Sequence, residues 1–193
     1  MRYIQDMESK QIPGRAFLDT CSVNFILEHG ECIFAGEQPS PTLSKRVLKD
    51  IGAFYNIFQT GDRAMWQLAI CPFTYKEVIE TQDSKKKRYL ENWFLEVWNY
   101  WIETIRSSND LPSFIEAEEM RIQLLSSVIL DVLPDISDRI LICDAIVYNC
   151  DCFCTRDWKT ILKKRKYLKC LPIRIVTPYE WWKLIEPYGA LWV

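Results

Sequence analysis

Apolar residues recur at two periods along the chain, and the switches between them mark out its elements. Arg15-Ala-Phe-Leu-Asp19 is a short apolar run ending on an acid, the pattern of a buried strand. From Thr20 to about Glu28, the residues Val23, Phe25, Ile26 and Leu27 take helical spacing. Gly30 to Thr42 contains two Gly and two Pro and reads as a loop. Ser44 to Gln59 is amphipathic, with Val47, Leu48, Ile51, Phe54, Tyr55 and Phe58 on one face. Thr60-Gly61 is expected to stop that helix. Trp66 to Pro72 reads as a second buried strand, and Thr74-Tyr-Lys-Glu77 as a capping box opening another helix.

A long helical pattern follows from about Ser84 to Arg106, basic at its start and carrying Trp93, Phe94, Val97, Trp98, Trp101 and Ile105. Pro112-Ser-Phe-Ile-Glu116 is a further capping box, predicting a helix to about Leu133, where Pro134 breaks it. Asp135-Ile-Ser-Asp138 opens the next helix, ending near Asn149. Cys150 to Thr155 is a short strand, Arg156-Asp157-Trp158 turns out of it, and Ile173-Arg-Ile-Val176 is a last strand. Thr177-Pro178-Tyr-Glu180 then has the N-cap, the early Pro and the acid of a helix start. Short apolar strands alternating with helices predict an α/β domain with a central parallel sheet. The 193 residues are expected to form one domain, with a helical insertion over about 84–133.

Composition narrows the chemistry. Apolar residues make up 49% of the chain and charged residues 26%, enough for a core and against disorder. The net charge of −2 excludes a globally basic nucleic-acid binder but leaves room for local basic patches. A single histidine, His29, excludes HExxH zinc sites and mechanisms that need two imidazoles. The eight cysteines contain no CxxC pair, and Cys150, Cys152 and Cys154 alternate along one strand. Three ligands on one strand cannot close around a tetrahedral zinc, so they read as buried reduced thiols. The polar N-terminal segment and the lack of a membrane-length apolar run predict a cytoplasmic protein without membrane contact.

Four of the 26 acids stand where a buried segment gives way to a helix or turn: Asp19, Glu77, Asp138 and Asp157. In a parallel sheet the carboxyl ends of the strands share one edge, where ligands bind. Each acid taken singly could cap a helix, since acids near helix N-termini are favoured by about 0.3–1 kcal/mol. As a set they would repel one another and raise each other's pKa unless a cation neutralised them. A hard divalent ion, Mg²⁺ or Mn²⁺, takes oxygen ligands and needs no histidine. Such a site suits phosphodiester hydrolysis.

The matching pieces Phe17-Leu-Asp19-Thr20, Ile70-Cys-Pro-Phe-Thr-Tyr-Lys-Glu77, Asp138-Arg-Ile-Leu-Ile-Cys-Asp-Ala145, Cys150 to Asp157 and Ile173 to Pro178 resemble, in order, the motifs of PIN-domain nucleases. The resemblance implies a PIN-like three-layer α/β/α fold and a metal-dependent ribonuclease, a toxin of a toxin–antitoxin pair in many family members. It implies that Asp19, Glu77, Asp138 and Asp157 hold the metal and that Thr155 supplies a hydroxyl. Asp144 shares a helix with Asp138 but lies about 240° round it, so the two cannot easily face one metal. Asp138 fits the family's order better. Cys21 stands where the family often has Asn or Ser, and the helical stretch between Glu77 and Asp138 is longer than in compact toxins.

Lys85, Lys86, Lys87 and Arg88 form a basic run that could contact RNA phosphates, as could Lys163 to Lys166. Trp93, Phe94, Trp98 and Trp101 could stack on bases, although their helical spacing favours a core or an oligomer interface; the same holds for Trp181-Trp182. RNA is the expected partner, with an antitoxin or another protein and a homo-oligomer as further candidates. A catalytically inactive RNA- or protein-binding module is the alternative. A phosphatase of the DxD type is disfavoured, because Thr20 and Cys21 follow Asp19.

Overall fold

Four short apolar runs pair into one parallel sheet. The computed structural model describes residues 12–64, 66–72, 74, 76 and 84–188. Its strands are β1 (Arg15–Leu18), β2 (Gln67–Ala69), β3 (Cys152–Cys154) and β4 (Arg174–Val176). They run in the order β2-β1-β3-β4, every neighbouring pair parallel. Ala16, Phe17 and Leu18 of β1 and all three residues of β3 are fully buried, on both sides of the pleat. Both faces of the central strands are therefore covered, as a three-layer α/β/α arrangement requires. The rings of Phe17 and Phe153, paired across the ladder, stack at 5.6 Å. Each such ring contributes about 1.5–3 kcal/mol by leaving water.

The helices among the described residues are α1 (Thr20–Glu28), α2 (Gly30–Phe34), α3 (Lys45–Ala64), α4 (Ser84–Ser107), α5 (Phe114–Leu125), α6 (Ile136–Val147), α7 (Ile161–Lys164) and α8 (Pro178–Ile185). None is long and apolar enough to cross a membrane. Helix α1 and the start of α5 match the sequence pattern. Ser113 and Glu116 make both halves of the capping box, as Thr177 and Glu180 do at α8.

Elsewhere the pattern misplaced boundaries. The segment expected to be a loop after Gly30 begins with α2, whose Ile33 is buried. Helix α3 does not stop at Thr60-Gly61. The Thr60 hydroxyl donates back to Ile57 O at 2.9 Å, and the ring of Trp66 lies against Gly61. A Cβ at Gly61 would stand 2.8 Å from Trp66 Cζ2, so this glycine serves close packing rather than helix termination. Helix α5 ends at Leu125 instead of near Leu133; a 3-10 turn over Val128–Val132 takes the remainder, capped by Ser127. The strands are each three or four residues, shorter than their apolar runs.

The segment between the strands adds to one core. Phe94, Trp101, Ile105, Ala117, Leu130 and Leu133 are buried in the same apolar cluster as the strands. Trp93 packs on Phe34 and Phe58, and Trp98 on Phe114. Trp181 is buried with its ring 5.2 Å from that of Trp66. Phe94, Trp101 and Trp181 are interior, while Trp93, Trp98 and Trp182 are partly buried against the core. All eight cysteines are free thiols, and Cys150, Cys152 and Cys154 are buried.

Candidate functional site

The register of β1 against β3 sets the site. Leu18 pairs with Cys154, so Asp19 and Thr155 are the next residues on two adjacent strands, at the carboxyl edge of the sheet. Asp19 N donates to Cys154 O at 3.2 Å and Thr155 N to Val176 O at 2.9 Å, which carries the ladder into the site. Both side chains are buried, and the Thr155 hydroxyl donates to Asp19 Oδ2. The other carboxylate oxygen, Oδ1, accepts from Ser22 N at 2.6 Å and caps α1. Asp19 is thus both a helix cap and a member of the site; the two readings of its position are compatible.

Asp157 enters from the turn after β3. Its backbone N–H donates to the Thr155 hydroxyl at 3.0 Å, while its Oδ1 accepts from Lys159 N at 2.8 Å and Thr160 N at 2.9 Å. Those bonds lock the turn and aim Oδ2 at the Thr160 hydroxyl. The same hydroxyl lies 2.9 Å from Asp138 Oδ2. One hydroxyl proton can serve only one of the two carboxylates at a time.

Asp138 arrives by a tight reversal. Asn149, at φ 52°, ends α6 in the left-handed region. Cys150 N then bonds to Ala145 O at 2.9 Å and Asn149 N to Ile146 O at 3.0 Å, the paired bonds of a Schellman end. The chain turns straight from α6 into β3, so the first turn of α6 lies beside the far end of β3. Asp135 caps the helix through Ser137 N, leaving Asp138, in the first turn, for Thr160.

The electrostatics follow from this crowding. Burial pushes the Asp19 carboxyl up to about 6 from the ordinary 3.8, against the lowering by Thr155 and Ser22, and the charge of Asp157 adds to the rise. Cys21 feels all three acids: partial burial, then Asp19, Asp157 and Asp138, push its thiol up to about 12. Arg156, between Thr155 and Asp157, does not turn toward them. Its Nε donates to Asp50 of α3 at 2.9 Å, and its guanidinium lies 3.5 Å from the ring centre of Phe25.

Asp144 stands apart. It is buried and takes a two-oxygen grip from Arg121 Nη1 of α5, at 3.0 and 3.3 Å, so its role is to tie α5 to α6. Glu77 lies outside the described residues. Lys85, Lys86, Lys87 and Arg88 fall in the first turns of α4, and their side chains are likewise outside the described set. In the second basic run, Arg165 is engaged by Glu180 at 2.6 and 2.8 Å.

Sequence reasoning overlooked Thr160, Ser22 and Asp50. The Asp157-to-Thr160 spacing is that of a side-chain-closed turn and could have suggested Thr160. Asp50 interrupts the polar–apolar pattern of α3 beside Ile51, the mark of a buried, paired acid.

Asp19, Asp138, Asp157, Thr155 and Thr160 offer only oxygen atoms, the donor chemistry that hard divalent cations prefer. Among the described residues, no group of three or more His, Cys, Asp or Glu side chains is placed so that it could hold a metal ion. The Thr160 hydroxyl stands between the carboxylates of Asp138 and Asp157, and the Thr155 hydroxyl joins the Asp19 carboxylate to the Asp157 backbone. No protein-family model, curated protein or solved structure matches the chain.

Proposed function

We propose that the chain is a Mg²⁺- or Mn²⁺-dependent endoribonuclease of PIN-like fold that hydrolyses phosphodiester bonds in RNA. The observation that carries this reading is the chain of hydrogen bonds from Asp19 through Thr155 to Asp157 and through Thr160 to Asp138, at the carboxyl edge of one parallel sheet. Asp19, Asp138 and Asp157 would hold the metal, with Glu77 as the fourth acid that the sequence offers. When bound, a divalent cation lowers the pKa of water and neutralises charge on a phosphate under attack. Thr155 orients Asp19 and fixes the Asp157 backbone, while Thr160 sets the approach of Asp138 to Asp157. A toxin held in check by an antitoxin is the setting that the sequence resemblance suggests, and eight free thiols fit a cytoplasmic one.

The test is cleavage of single-stranded RNA by the wild type and by Asp19→Asn and Asp138→Asn, with and without Mn²⁺. Each substitution is expected to lower the rate by more than the roughly 10–100-fold that losing a partner of a metal ligand costs. Equal cleavage by all three folded proteins overturns the reading.

A second reading, a PIN-like RNA- or protein-binding module without catalysis, draws on the hydroxyl-separated carboxylates and on Cys21 beside them. Calorimetric titration separates the two: no Mn²⁺ binding together with tight RNA or protein binding favours the module.

A further inference from the structure

Immediately after Asp157, Trp158 stands 42% exposed at the rim of the acid cluster. Among the described residues, Trp101 and Trp181 are fully buried, and Trp66, Trp93, Trp98 and Trp182 are partly buried against the core. Leaving so large an apolar ring in water is unfavourable, and its placement is not loose. The turn that carries it is closed by Asp157 Oδ1 on both sides of Lys159, and the guanidinium of Arg46 lies 4.2 Å from the indole centre. Arg46 comes from the first turn of α3, one turn before Asp50, which holds Arg156. Thus α3 grips the turn at two points, once on each side of Asp157.

Arg46 on the ring is exposed, and so are Lys159, the next residue after Trp158, and Lys45, the next before Arg46. The immediate neighbourhood of the carboxylates therefore pairs an aromatic face with cations, in a protein of net charge −2. An indole with a cation on one side is a good stacking surface for a nucleobase, and the exposed Lys45 and Lys159, adjacent in sequence to Arg46 and Trp158, suit the phosphates on either side of it.

We propose that Trp158, held by Arg46, is a base-stacking platform that seats an unpaired nucleobase of the RNA next to the phosphate presented to Asp19, Asp138 and Asp157. This rests on the nuclease reading and adds a residue that sets how the substrate lies. Trp158 is a positioning residue: it touches the base, and the acids act on the phosphate. A base inside a duplex is already stacked, so the platform selects single-stranded RNA.

The experiment uses two fluorescein-labelled oligonucleotides of equal length, a single-stranded RNA and its abasic counterpart with the same phosphates. Binding is measured by anisotropy in EDTA, and cleavage of the RNA is measured separately in Mn²⁺. Trp158→Ala is expected to weaken binding to the base-bearing RNA on the order of tenfold, and Trp158→Tyr to keep most of it. Neither should alter binding to the abasic strand, and Trp158→Ala should raise KM more than it lowers kcat. Equal weakening for both strands, or none for either, overturns the platform; wild-type cleavage in Mn²⁺ then leaves the nuclease reading standing. If the wild type neither binds nor cleaves the RNA, both fall together.

Discussion

Arg156 reaches across from the turn after β3 to Asp50 of α3, with 2.9 Å between Nε and Oδ2. The Asp50 carboxylate is almost fully buried, and burial raises its pKa despite the arginine. Arg156→Ala would leave that acid without its cation, which for buried pairs costs about 3–5 kcal/mol. Urea unfolding at neutral pH should show a loss of that order. The double substitution Asp50→Leu with Arg156→Met should recover most of it. Additive losses in the two single variants and the double would mean that the pair is not coupled.

Asp19 makes stability depend on pH in a defined direction. Its folded pKa, about 6, lies above the ordinary 3.8, so the folded protein binds the proton more tightly than the unfolded chain. The ionised form therefore destabilises the fold at and above neutral pH, by about 3 kcal/mol for a shift of this size. The penalty fades as pH falls through 6 and is gone below about 4. In EDTA, Asp19→Asn should be more stable than the wild type at pH 7.5 and indistinguishable from it at pH 4. Adding Mn²⁺ at pH 7.5 should raise the wild-type Tm and leave that of Asp19→Asn nearly unchanged. Thermal unfolding at the two pH values gives the comparison.

Thr155→Val keeps shape and removes a hydroxyl that serves Asp19 as donor and Asp157 N as acceptor. Both partners are then left short of a bond in a buried place, at a cost of about 1–3 kcal/mol. The hydrogen bond from Thr155 also holds the Asp19 pKa down, so Thr155→Val should push it further up. Carboxyl chemical shifts followed through a pH titration would show this. Thr155→Ser should restore both the stability and the titration.

Asp138 and Asp144 share α6 and should behave in opposite ways. Asp144→Asn weakens the grip of Arg121 and should destabilise the fold by about 1–3 kcal/mol while leaving Mn²⁺ affinity intact. Asp138→Asn should lower Mn²⁺ affinity with little change in stability. Calorimetric titration and urea unfolding of the two variants decide between them; a fall in Mn²⁺ affinity for Asp144→Asn would reverse the assignment.

The α/β class could be read from the sequence because burial on both faces leaves unbroken apolar runs such as those ending at Leu18 and Cys154, and because caps such as Ser113 and Thr177 are local chemistry. The lengths of α3 and α5 could not, since tertiary contacts decided them. Trp66 packs against Gly61 where propensity alone would end a helix, and the chain after Leu125 tightens into a 3-10 turn. Of the four acids singled out on the sequence, Asp19 bonds to Thr155, and Asp138 and Asp157 to Thr160, while Glu77 lies outside the described residues. The hydroxyl of Thr160 and the Arg46–Trp158 pair depend on how α3 and α6 sit against the turn, which no single segment encodes.

The sheet order has a consequence for synthesis. Strand β1 is made early, yet its place between β2 and β3 is completed only by residues far downstream; Thr155 meets Asp19 across 136 positions of sequence. A chain still growing on the ribosome can hold Asp19 at the end of a strand but cannot bring Asp138, Asp157 and Thr160 to it. Pairings this distant also form slowly in refolding. The carboxylate edge is thus assembled among the last features of the molecule, and a chain truncated before Asp138 lacks it.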